Sequence, residues 1–277
     1  MSLDRKLKFL IKKDNLFLLA IALLGVVLAT LFMPLSVDWE RVFYPAGQMV
    51  LAGRSPYLVE GFFNPPWLIL LLLPLALLPI KIGNAIMAVL GMVTYAYVLR
   101  KFKTGLTGTI FFLLSPPAII SIYSGNADWL IALGYILPPQ IGLFFVLLKP
   151  QVGMGLVIFW LVEAWRTGGF ANVARVFLPV SVFTLLSFVI FGFWPEKARA
   201  LVDVSWNISM WPMSIPIGLA LLSLAIRKRN ERLSYPVAPL LSPYVASGSL
   251  APAIIGLEKV EMIVVSIGLW VMMFAFL

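Results

Sequence analysis

The stretch LFLLAIALLGVVLATLFM, Leu16–Met33, runs for eighteen positions without a charged residue. A helix rises about 1.5 Å per residue, so this run reaches across most of the roughly 30 Å hydrocarbon layer of a bilayer. Backbone groups in lipid must be paired within the protein, which leaves helices and closed barrels as the spanning forms. The run lacks the alternation of a barrel strand, so it reads as a transmembrane helix. It is too long for a typical signal-peptide core, and no small-residue cleavage pattern follows it.

The rest of the chain repeats the message. Its 277 residues are 61% hydrophobic and 12% charged, with a mean hydropathy of +1.00. Soluble chains carry about 25% charged residues. Further apolar segments are Pro65–Ile80, Gly83–Leu99, Leu106–Tyr123, Trp129–Leu137, Ile141–Leu148, Val152–Trp165, Val176–Trp194, Ile215–Ile226, Val237–Ile255 and Val260–Leu277. The expected fold is all-α. It is a single polytopic transmembrane helical bundle over residues 1–277, with about 8–10 membrane segments, some of them short or re-entrant. The Pro116-Pro117 and Pro138-Pro139 pairs break helices, and irregular backbone at membrane depth survives only beside protein or a water-filled cavity. The bundle is therefore expected to enclose a cavity.

Charge sets the orientation. Arg5, Lys6, Lys8, Lys12 and Lys13 make residues 1–15 a basic tail, cytoplasmic by the positive-inside rule. Residues 34–64 then form an outer loop. The clusters at Arg100/Lys101/Lys103, Arg166/Arg175 and Arg227–Arg232 all fall inside only if Pro65–Leu99 makes one net crossing, so the short, Pro-rich Pro65–Pro79 piece reads as re-entrant or tilted. The net charge of +9 is explained by these anchors and their contact with anionic lipid, and no nucleic-acid partner is expected. The expected location is the plasma (inner) membrane. Trp194, Trp206 and Trp211 in the loop Pro195–Met213 and its flank read as an interfacial belt.

The chain has no Cys and no His. Thiolate chemistry, disulfides and the usual general base are excluded. No acidic spacing suggests a metal cluster, and no cofactor is expected. Any base is Asp or Glu.

Three polar turns stand out against this background. Asp38 follows the first helix and opens a stretch to Ala52 patterned as a surface helix, with Val42, Met49 and Val50 toward lipid and Arg41 and Gln48 toward water. Asp38 suits a helix cap as well as a chemical role. Gly125-Asn126-Ala127-Asp128 suits a turn and cap. Lys149-Pro150-Gln151 places one lysine between very apolar runs, where it either meets an anion or a cavity or snorkels to the interface. Glu163 beside Arg166 reads as an ion pair, Glu258 and Glu261 as interface markers, and Arg227-Lys228-Arg229 as an anchor.

Together these residues resemble the GT-C glycosyltransferases that use polyprenyl-phosphate sugars, in a shortened form. They look closest to glycosyltransferase family 87, the α-mannosyltransferase-like proteins. The resemblance rests on Asp38, Tyr44, Ala46, Gly53 and Pro56-Tyr57, then Phe63-Asn64-Pro65-Pro66, Gly125-Asn126, Lys149-Pro150-Gln151 and Leu241–Tyr244, in that order. It implies transfer of a mannose-like hexose from a polyprenyl-phosphate donor to a lipid or glycan acceptor. Asp38 would be the base, and Lys149, then Arg54 or Arg41, would meet the phosphate. Asn126 and Asp128 would hold sugar hydroxyls, and Trp39, Tyr44 and Tyr57 would contact sugar or acceptor. The alternative is a non-catalytic membrane subunit of the same fold, held in a complex with other membrane subunits. A transporter is a weaker third reading, because no pair of broken helices recurs in two halves.

Overall fold

The computed structural model describes residues 13–201 and 204–275. The tail cations Arg5, Lys6, Lys8 and Lys12 lie outside the described residues. All secondary structure among the described residues is helical. The chain runs through α1 (Lys13–Phe32), a wide helical turn (Trp39–Phe43), α2 (Tyr44–Leu51), α3 (Trp67–Ala76) and α4 (Ile80–Lys101). It continues through α5 (Gly105–Leu113), α6 (Pro116–Tyr123), α7 (Asp128–Gly134), α8 (Pro139–Val146) and α9 (Pro150–Phe191). Last come α10 (Ile215–Lys228), α11 (Val237–Leu241), α12 (Leu250–Ile254) and α13 (Lys259–Ala275).

Two helices, α4 and α9, are long and apolar enough to cross a membrane, and the α5–α6 pair, bent by 59°, makes a third if it is one span. The α5–α6 bend falls at Ser115, ahead of Pro116-Pro117. Proline closes the helix before it and starts the next one well, since its missing N–H is an orphan there anyway. The 42 residues of α9 are broken at Gly168 and Gly169, where the backbone leaves the helical region. That break falls between the two segments read from the sequence, Val152–Trp165 and Val176–Trp194.

Other segments are shorter than their hydropathy suggests. The ten residues of α3 cover about 15 Å, half of a hydrocarbon layer. By length alone it is too short to cross. Val237–Ile255 is not a span. It divides into α11, an extended stretch through Ser242, and α12, each helix five residues long. Pro239, Pro243 and Pro252 lack the N–H that a continuous helix needs. The expected surface helix also differs from its pattern. Trp39, Phe43, Ala46 and Gly47 are buried, and Val42 and Val50 pack against the protein core. Gln48 donates from Nε2 to the Ala76 carbonyl at 2.6 Å, so α2 docks on α3 rather than turning its apolar side outward.

The core lies where α4, α7, α8 and the first half of α9 meet, around Met87, Ile131, Leu143 and Leu156. Helices α8 and α9 approach so closely that a Cβ on Gly153 would collide with the Val146 carbonyl. Outside this core, large apolar side chains face outward. Phe32 is 79% exposed, Val189 83% and Val260 71%, on α1, α9 and α13. Unbroken apolar faces of this kind need a non-aqueous cover.

Candidate functional site

Asp38 is set by the chain just after α1. The backbone N–H of Ser36 donates to Asn84 Oδ1 at 3.0 Å, and Asn84 Nδ2 donates to the Pro34 carbonyl at 3.2 Å. Asn84 sits on α4 and is buried. It therefore clamps the extended exit from α1 onto the long helix and satisfies backbone groups that have no helix partner. Trp39 then plugs into the core, fully buried, with its indole Nε1 donating to the Ile80 carbonyl at 3.0 Å.

The second turn packs directly on this one. The Asp38 backbone N–H donates to the Ser124 carbonyl at 2.9 Å. Gly125 has φ +69°, and a Cβ there would stand 2.7 Å from Ser36 Cβ and 3.1 Å from Trp39 Cβ. Only glycine meets both demands. The close approach is what places Asn126 beside the Asp38 segment.

Lys149 precedes Pro150 at the head of α9, with the extended backbone that a residue before proline prefers (φ −139°, ψ 91°). Its ammonium lies 2.9 Å from Asp128 Oδ1 and donates to Asn126 Oδ1 at 2.6 Å and to Ser249 Oγ at 3.4 Å. Asp128 is fully buried and the Lys149 side chain is 11% exposed. The three donors of the lysine are thus directed at three named acceptors. A further tie comes from Asn64, whose Nδ2 donates to the Leu148 carbonyl at 3.0 Å while its own carbonyl accepts from the Tyr57 hydroxyl at 2.9 Å.

These turns open on one cavity of about 870 Å³, walled among others by Asp38, Arg41, Glu60, Asn64, Asn126, Lys149, Gln151, Trp194, Trp206 and Tyr244. Five sequence motifs, spread from Asp38 to Tyr244, converge there. Among the described residues the Asp38 carboxylate makes no hydrogen bond or ion pair, and it does not cap the turn it precedes. Burial raises its pKa above the ordinary carboxylate range. The Lys149 charge opposes the shift, and the Asp128 charge adds to it. Such a carboxyl is a better proton acceptor than a solvated aspartate.

The sequence-derived candidates divide on this geometry. Asp38, Arg41, Asn126 and Lys149 line the cavity. Asp128 stands behind the wall as the counter-ion of Lys149, so its carboxylate is occupied rather than turned to a ligand. Trp39 is committed to the core. Tyr44 packs its ring on Trp39 at 5.7 Å, and Tyr57 stacks on Trp194 at 6.4 Å, both behind the lining. Arg54 is exposed away from the cavity. Trp194 is not a belt residue. It is 8% exposed, donates from Nε1 to Ser187 Oγ at 3.0 Å, and forms part of the wall. Glu163 takes its expected role, paired with Arg166 at 3.0 Å and Arg229 at 2.9 Å.

Sequence reasoning missed Asn84, Ser249, Glu60 and the lining role of Trp206. Asn84 carried a signal, being a lone amide within an apolar helix, where an unpaired polar group is costly. Ser249 carried none. Among the described residues no three Asp or Glu side chains gather as a metal-binding set.

No family model, curated protein or solved structure matches the chain.

Proposed function

We propose that the chain is a polytopic integral membrane protein with a cytoplasmic N-terminus, and that it transfers a hexose from a polyprenyl-phosphate donor to a hydroxyl acceptor, as GT-C glycosyltransferases do. The observation that carries the reading is the unpaired, proton-attracting Asp38 carboxylate in a cavity shared with Arg41 and the Lys149 turn. The outward apolar faces of α1, α9 and α13 support the membrane setting.

In this mechanism Asp38 takes the proton of the acceptor hydroxyl. The acceptor oxygen bonds to the anomeric carbon as the bond from that carbon to the phosphate oxygen breaks. The polyprenyl phosphate leaves with the electron pair, so no general acid is needed. A cation must hold the growing phosphate charge. Lys149 is neutralised by Asp128, whereas Arg41 lines the cavity with no ion pair among the described residues. Arg41 is therefore the phosphate ligand in this scheme, and the Lys149 network shapes the floor beneath the sugar.

The commitment of Lys149 to an internal pair favours the second reading, a non-catalytic subunit that keeps the enzyme's shape. The open cavity and the unpaired Asp38 favour catalysis. Reconstitution with a polyprenyl-phosphate hexose and a lipid-linked acceptor separates the two. Turnover that Asp38→Asn abolishes supports the enzyme. Turnover unchanged by that substitution overturns the role of Asp38.

A further inference from the structure

A second cavity, of about 410 Å³, lies at the opposite ends of α7 and α8 from the first. Helix α7 begins at Asp128 beside the first cavity and leads to Tyr135 at the second, and α8 begins at Pro139 in the second and leads back toward Lys149. The seven residues of α7 cover about 10 Å, so the two cavities stand back to back across a thin partition. The second is walled by Lys101, Phe102, Tyr135, Pro138, Trp160 and Glu231, among others.

Its lining carries one acid and one lysine that are not paired with each other. Glu231 shares this wall with the Trp160 indole and, among the described residues, has no cation within ion-pair distance. Its neighbour Arg232 is engaged elsewhere, with its guanidinium 4.6 Å from the Phe102 ring centre and donating to the Phe102 carbonyl at 3.3 Å. Burial pushes the Glu231 carboxyl upward, which the nearby Trp160 indole and the Arg232 charge oppose. Lys101 is exposed, its ammonium lies 5.3 Å from the Tyr97 ring centre, and it has no acidic partner among the described residues. The site therefore offers a carboxylate, an indole and a lysine in one lining.

We propose that this cavity binds the headgroup of a zwitterionic phospholipid carrying a primary amine. The ammonium meets Glu231 and the face of Trp160, where carboxylate and aromatic ring both favour a cation. The phosphate meets Lys101. The lipid source is favoured over a soluble amine because exposed apolar side chains lie within two residues of Pro139 and Trp160 in the lining. Ile141 on α8 is 52% exposed and Leu161 on α9 42%, giving acyl chains a surface to lie on. Arg100 and Lys103 flank the same end of α4, as expected at a phospholipid interface. The proposal is independent of glycosyl transfer.

The test is thermal unfolding of the detergent-purified full chain with added phosphatidylethanolamine, phosphatidylglycerol or soluble phosphoethanolamine. The expected result is a rise in Tm with phosphatidylethanolamine, exceeding that with phosphatidylglycerol and lost in Glu231→Gln. Lys101→Met is a second variant, at an exposed position where folding is not at stake, and it should weaken the same shift. Equal shifts with phosphatidylglycerol, a shift that survives Glu231→Gln, or a shift with soluble phosphoethanolamine alone would each overturn the assignment.

Discussion

Lys149 and Asp128 meet at 2.9 Å from opposite ends of the α7–α8 pair, with the carboxylate fully buried and the ammonium almost so. Taking two charges out of water is costly, and the pair is tolerable because Asn126 and Ser249 supply further bonds. Removing one member leaves the other buried without compensation. Asp128→Asn should lower stability by about 3–5 kcal/mol. Replacing both partners with apolar residues of similar volume should cost less than either single change. Unfolding of the reconstituted single and double variants measures the difference.

Asp38 should behave in the opposite way. Its carboxylate makes no bond for Asn to lose, so Asp38→Asn should leave the fold intact while lowering transfer by about 10²–10⁴-fold. The pH dependence has a definite sign. Because the folded-state pKa lies above the unfolded value, the native protein holds this proton longer. Stability therefore falls as pH rises from the ordinary aspartate range through the raised value. At neutral pH the Asn variant should be at least as stable as the parent. The transfer rate should fall on acidification at a higher pH than an unperturbed aspartate would give. A pH–rate profile alongside unfolding of the variant checks both.

The two arginines between α1 and α3 should separate cleanly. Arg41 lines the cavity and Arg54 does not. Arg41→Ala should weaken use of the phosphate-bearing donor by about tenfold, the scale of one lost bond to a charged group. Arg54→Ala should change it little. Steady-state kinetics with varied donor would show the split, and equal effects would count against Arg41 as the phosphate ligand.

Gly125→Ala should disturb both stability and activity. Alanine in the left-handed region is strained, and its methyl group would press on Ser36 and Trp39. A loss of about 2–5 kcal/mol is expected from strain plus overpacking. Since the turn also carries Asn126, activity should fall even under conditions where the variant is folded. Thermal unfolding with a parallel transfer assay tests this.

Much of the architecture was legible because it rests on composition and on local rules. Helices were dictated by uncharged apolar runs, and their breaks by Pro116-Pro117 and Pro138-Pro139. The division of Pro150–Phe191 near Arg166 was visible from its polar residues. Val237–Ile255 misled because hydropathy measures burial in anything apolar, whereas proline decides whether a helix continues. The lipid-facing role given to Val42 and Val50 misled for a related reason. An amphipathic pattern shows that one face is covered, but not whether lipid or α3 covers it.

The sequence by itself determined that this chain is helical and apolar, that His and Cys chemistry is absent, and that Asp38, Asn126 and Lys149 are the isolated polar turns in apolar surroundings. Those facts follow from residue type and spacing alone. Only the tertiary structure decided which of these groups stays available. It paired Lys149 with Asp128, sealed Trp39 in the core, turned Arg54 away, and left Asp38 unbonded in a cavity with Arg41. The physical reason is that a charged side chain is spent or free according to what lies within a few ångströms of it. For Lys149 that neighbourhood includes Ser249, one hundred residues along the chain, at a distance no local pattern records.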